Sequence, residues 1–152
     1  MPLRLLSIAV ASGRAGAVFF IGGELKGWCQ STCAAKNPEQ TAQWTENLFK
    51  SLRPQLVITE DRGSKCRKGE AARTAIEVVE FVADRTGIDR SAIVRTKRYA
   101  NKYEEAEELA EQFPDLAPWR PSPRKCWDAE PRSTVLFEAL SMAADVLDIR
   151  TK

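Results

Sequence analysis

A chain of 152 residues with no histidine is closed to imidazole chemistry. Ser-His-Asp and Cys-His catalysis, imidazole general bases and His-ligated zinc are all excluded. Any chemistry rests on carboxylates, lysine, tyrosine, cysteine or a metal held by oxygens. The most suggestive acids are Glu60 and Asp61, which close the apolar run Leu56-Val57-Ile58-Thr59. Open α/β sheets place ligands at the carboxyl ends of central strands, so this pair suits a metal or a phosphate-water site. The plain alternative is a solvated acidic pair facing Arg62. In a strand, the side chain of Asp61 points away from that of Glu60.

Positive charge follows at once. Residues 62–73 carry Arg62, Lys65, Arg67, Lys68 and Arg73 against one acid, and residues 95–102 carry Arg95, Lys97, Arg98 and Lys102 against none. Cations beside a strand end and a helix N-terminus bind phosphates; the alternative is a solvated loop. Residues 104–115 then hold six acids and no base. The net charge of +2 is too small to advertise a nucleic-acid binder, but its sorting into blocks implies a polarised surface. Trp119 and Trp127 flank Arg120, Arg124 and Lys125. They are either a base-stacking platform or pins for the loop. Ser12-Gly13-Arg14 offers a weak phosphate contact. Glu130 precedes Pro131, which suits a helix start as well as a site.

The four cysteines, Cys29, Cys33, Cys66 and Cys126, fit neither an extracellular disulfide framework nor a zinc site, and read as separate thiols in a reducing compartment. No apolar run is long enough to span a bilayer, and the opening run leads into strand-like sequence rather than a cleaved signal. The expectation is a cytoplasmic protein of one domain, residues 1–152.

The elements that would position these residues change period along the chain. Residues 3–11 read as a strand covered on both faces, 17–23 as a second strand after the turn Ser12–Gly16, and 25–32 as a third, with Glu24 in the turn between. Short turns make these an antiparallel meander. Asn37-Pro38-Glu39-Gln40 starts a helix whose Thr41, Trp44, Leu48, Phe49 and Leu52 recur at helical spacing, ending at Pro54. A strand over 55–61 follows, then a helix with the stripe Ala72, Ile76, Val79 and Ala83, stopped by Gly87. A fifth strand is expected over 91–97, and an acidic helix from Asn101 to Phe113. Residues 114–131, with five prolines and two tryptophans, read as an ordered loop rather than a linker. A last helix runs from Pro131 to Asp148. Its Thr134, Glu138, Ser141 and Asp145 form one stripe that reads as a solvent face. Strands four and five, each reached through a helix, should lie parallel to the first by right-handed crossovers. The expected fold class is α/β, a five-stranded mixed sheet of three antiparallel then two parallel strands flanked by helices.

This order, together with LLSIAVASGRAGAVFF, LVITED and FEALSMAADVL, resembles the ribonuclease H-like superfamily, in particular RuvC-type Holliday-junction resolvases. The resemblance covers nearly the whole chain in order and spacing. It implies nucleic-acid binding, with branched DNA as the family's substrate, and Mg2+- or Mn2+-dependent phosphodiester cleavage. Such cleavage uses two metals held by carboxylates on the first and fourth strands and the last helix. Carried over, Glu60 and Glu138 are the metal-binding acids. The first-strand Asp is replaced by Ala9 and the companion acid on the last helix by Val135. Asp61, Glu130 and Asp128 are candidate substitutes. Arg62, Lys65, Arg67, Lys68, Arg98 and Lys102 would bind nucleic acid. The resemblance also implies a homodimer. A catalytically inactive member that binds DNA or RNA or scaffolds a complex is the alternative.

Overall fold

The computed structural model describes residues 2–11, 13–32, 34, 36–63, 68–94, 102–121 and 133–147. Strands β1 (Arg4–Ala11), β2 (Arg14–Ile21), β3 (Glu24–Ser31), β4 (Leu56–Glu60) and β5 (Asp89–Ile93) form one sheet in the order β3-β2-β1-β4-β5. The first three are antiparallel, and β4 and β5 run parallel to β1, as the crossover argument requires. Helices α1 (Pro38–Leu52) and α2 (Glu70–Thr86) cover one face; α3 (Lys102–Gln112) and α4 (Thr134–Leu147) cover the other.

Alternation along β1 divides the core. Leu6, Ile8 and Val10 point toward α1 and α2, where they meet Phe49, Ile76 and Val79. Leu5 and Ala9 point toward α3 and α4, where they meet Leu109, Leu136 and Leu140. The helix signals hold in detail. The Asn37 side chain accepts a hydrogen bond of 2.8 Å from the Gln40 N–H, satisfying an orphan donor of α1. Gly87, at φ 76°, ends α2 with its N–H returned to the last turn.

Several boundaries differ from the sequence reading, each for a physical reason. β2 begins at Arg14 rather than residue 17, because the chain reverses in two residues and Ala11 pairs with Arg14. Gly16 is therefore inside the ladder, not in a turn. A Cβ there would lie 3.0 Å from the backbone of Val135 and Leu136, so its missing side chain lets α4 lie against the sheet. The next reversal is Gly22-Gly23, both at positive φ, which puts Glu24 in β3 opposite Ile21. β5 starts at Asp89, since the chain pairs with β4 as soon as α2 stops. Its expected continuation at 95–97 lies outside the described residues. Within the expected loop, Pro114–Trp119 forms a 3-10 helix.

The largest correction concerns α4. Ten of its fourteen residues are buried, including Thr134 and Ser141 of the supposed solvent stripe. The reason is α3, which packs along it: Ala106, Leu109 and Ala110 join its apolar cluster, and the Ser141 hydroxyl donates to Glu105 at 2.9 Å. The helix is enclosed on nearly all sides, which a solvent-facing stripe would not allow.

Candidate functional site

Register and packing bring the candidate acids to one end of the sheet. Ser7 of β1 pairs with Ile58 of β4, the last pair between these two strands; Ala9 and Glu60 each follow two residues further along their own strand. Both share the face covered by α4, because side chains two apart in a strand point the same way. α4 is laid down over this region with its first turn against Gly16, the partner of Ala9 in β2. The Ser7 hydroxyl fastens it further along, donating 2.7 Å to the Ala139 carbonyl. Glu138 precedes that carbonyl by one residue.

Each sequence-predicted residue can now be placed. Glu60 is 9% exposed, and its carboxylate makes no hydrogen bond or ion pair among the described residues. Burying an ionised carboxylate without a partner is costly, so a near-enclosed Glu60 is a group awaiting a counter-charge. Glu138 already has one: the Lys68 ammonium donates to its Oε1 at 2.7 Å, with both side chains less than a fifth exposed. Asp61 instead accepts from the Gly63 N–H at 2.7 Å, shaping the turn that leaves β4. Its own N–H donates to the Ile93 carbonyl.

Arg62 turns to the opposite face. Its guanidinium donates to Glu80 of α2 at 2.8 Å and reaches Glu77 at 3.8 Å. The Glu80 hydrogen bond is the main reason its proton is held more tightly than usual. Glu80 also receives Arg90 at 3.0 Å, and Arg90 in turn donates to Asp84 at 2.8 Å. That last hydrogen bond raises the Arg90 pKa and holds the Asp84 carboxyl below its usual range. The network ties the exit of β4 to the entry of β5. The Arg62 charge is thus engaged within the protein, whereas the sequence alone suggested a phosphate ligand.

Lys65, Arg67, Arg98, Asp128 and Glu130 lie outside the described residues, as do Trp127, Arg124 and Lys125. Lys102 begins α3. Trp119 packs edge-on against Trp28 of β3, with ring centroids 5.4 Å apart, so it pins the 3-10 segment to the body. Cys29, also on β3, is a free thiol whose pKa burial pushes up, a poor nucleophile at neutral pH.

The donor set can be tested against the two-metal centre that the resemblance implies. Among the described residues no three potential ligands converge. The position of the bridging carboxylate is Ala9, 4% exposed and part of the apolar cluster with Val18, Ile58, Leu136 and Phe137. Val135, at the companion position, is wholly buried. The one acid of α4 aimed at this rim is neutralised by a lysine. These residues do not fit a pair of divalent ions, which need several shared carboxylate oxygens. The Lys68–Glu138 pair was not legible beforehand: 70 residues separate its partners, and no local pattern joins them.

Comparison with solved structures fits this architecture. The chain is similar to RuvC of Thermus thermophilus in complex with a Holliday-junction substrate, with a TM-score of 0.59 at 15% identity, over 93% of this chain and 90% of that one. The fowlpox virus resolvase bound to Holliday-junction DNA gives a TM-score of 0.62 at 10% identity, over 95% and 98%. The yeast mitochondrial Holliday-junction resolvase gives 0.58 at 10%, over 95% and 79%. No protein-family model and no curated protein matches the sequence. The fold is ribonuclease H-like, of the RuvC resolvase type. No helix among the described residues is long and apolar enough to cross a membrane.

Proposed function

We propose that this chain binds branched DNA through the resolvase fold and does not cleave it with Glu60 and Glu138 as metal ligands. The observation that carries the reading is the match of nearly the whole chain to resolvases solved on Holliday junctions. A likeness spanning nine-tenths or more of both chains supports a retained docking shape, not a shared core alone. Of the basic residues 62–73, Arg62 and Lys68 are ion-paired within the protein, so the reading assigns phosphate contacts to Lys65 and Arg67. Loss of cutting is supported by Ala9 and by the ion pair on Glu138, for an apolar side chain and a neutralised carboxylate offer little to a hard cation.

The test combines binding and chemistry. Fluorescence anisotropy with a labelled four-way junction and a matched duplex should give tighter binding to the junction. Affinity should fall steeply as salt rises, since phosphate contacts release counterions. Incubation with Mg2+ or Mn2+ should leave the junction intact. Cleavage that disappears in Glu60→Gln would establish the nuclease instead, and equal, salt-insensitive affinities would remove the nucleic-acid reading altogether.

A further inference from the structure

We infer that Lys68 is a tethered cation standing where a metal would, and that it closes the Glu60–Glu138 rim to divalent ions. The inference concerns the free protein and goes beyond DNA binding.

Topology explains how a lysine reaches this place. β4 ends on the α4 face of the sheet with Glu60, and α2 begins on the opposite face at Glu70. The intervening segment must cross the strand end, and Lys68 is its second-last residue before that helix. Both flanks of the crossing are tied. Asp61 closes the turn onto Gly63, the Arg62 guanidinium is clasped by Glu80, and Arg73 of α2 donates back to the Arg62 carbonyl. The described residues on either side of 64–67 are thus tied to the turn after β4 and to α2, and the Lys68 ammonium donates to Glu138 at 2.7 Å.

Charge supplies the second argument. Two metal ions carry four positive charges and suit three or four carboxylates. Here the first-strand acid is absent at Ala9, and among the described residues the rim holds Glu60, Glu138 and the Lys68 ammonium. The loss of an acid and the presence of a lysine act in the same direction. An incoming divalent ion would meet a positive charge at ion-pair distance in a largely desolvated setting, where Coulomb repulsion is weakly screened. Glu60, nearly enclosed and without a hydrogen bond or ion pair among the described residues, is the second carboxylate on this side of the sheet.

Mn2+ titration of the intact protein, read from the electron paramagnetic resonance signal of free Mn2+, tests this without DNA. Wild type and Lys68→Arg should take up no stoichiometric Mn2+ in the millimolar range. Lys68→Met should bind one equivalent about tenfold or more tightly, on the scale of removing one nearby unit charge, and Lys68→Met with Glu138→Gln should lose it. Lys68→Gln runs in parallel, with circular dichroism confirming that each variant is folded. Stoichiometric Mn2+ on wild type with an affinity unchanged in the Lys68 variants would overturn the inference. So would folded Lys68→Met and Lys68→Gln proteins that both fail to bind. Failure of the junction-binding assay would leave this result standing, so the two readings fall separately.

Discussion

The two faces of one sheet are built from alternate residues of the same strands, yet they are filled on different terms. Toward α1 and α2, the strands present Leu6, Ile8, Val10 and Phe19, and the helices answer with Phe49, Ile76, Val79 and Ala83. The charges there, Glu80 with Arg62 and Arg90, sit in a mutually satisfied network at the margin. Toward α3 and α4, the apolar cluster is interrupted by Ser7, Glu60, Glu105, Thr134 and Ser141, all buried. Among the described residues, the hydroxyl of Thr134 finds no partner. An unsatisfied buried polar group costs about 1–3 kcal/mol. The α1 and α2 side has buried polar residues too, Thr41, Thr45 and Thr59, and the Thr59 hydroxyl likewise finds no partner among the described residues. The difference lies in the acids. Glu80 on that side is answered by two arginines, whereas Glu60 on the α4 side makes no hydrogen bond or ion pair among the described residues.

The comparison can be broken by truncating one core residue on each side. Leu140→Ala and Ile76→Ala, both deeply buried, should each destabilise by about 2–5 kcal/mol in urea denaturation, from lost burial plus a residual cavity. A far smaller loss for Leu140→Ala would mean the α4 side collapses readily and its polar groups are not held in place. Gly16→Ala sharpens the point. Its new methyl group would press on the α4 backbone, costing about 1–3 kcal/mol as overpacking does. Gly27→Ala on β3, where nothing lies within 4 Å, should stay within about 0.5 kcal/mol. The smallest effect belongs to the charged margin. Arg90 holds the Asp84 carboxyl below its usual value, so its stabilisation is present above the unfolded carboxylate pKa of about 3.9. It is lost as pH falls through the lower folded value. Thermal midpoints of wild type and Asp84→Asn, compared from neutral pH into that range, should converge as acid is added.

Much of the fold was legible because it rests on local signals. Caps at Asn37 and Gly87, the stripe on α2 and the period-two core of β1 each report their own structure through spacing. Parallel β4 and β5 followed from the helices preceding them. What escaped was decided between distant elements. Gly16 looks like a turn residue until α4 is seen against it, and the stripe Thr134–Glu138–Ser141 looks solvated until α3 is laid across it. At the site, the sequence singled out Glu60, Glu138 and the basic segment as candidates, but could not pair Lys68 with Glu138 or turn Arg62 toward Glu80. Charge partners separated by tens of residues leave no periodic trace in a single chain.

The hydroxyl bond from Ser7 to Ala139 joins positions 132 residues apart, and that span bears on the protein's birth. During synthesis, β1 to β3, α1, β4 and α2 can meet as they leave the ribosome, but the side of the sheet bearing Leu5, Val18, Phe20 and Ile58 is covered only as α3 and then α4 emerge. Nascent chains expose an apolar surface until then, the kind of surface chaperones shield, and completion of the fold awaits a long-range docking event.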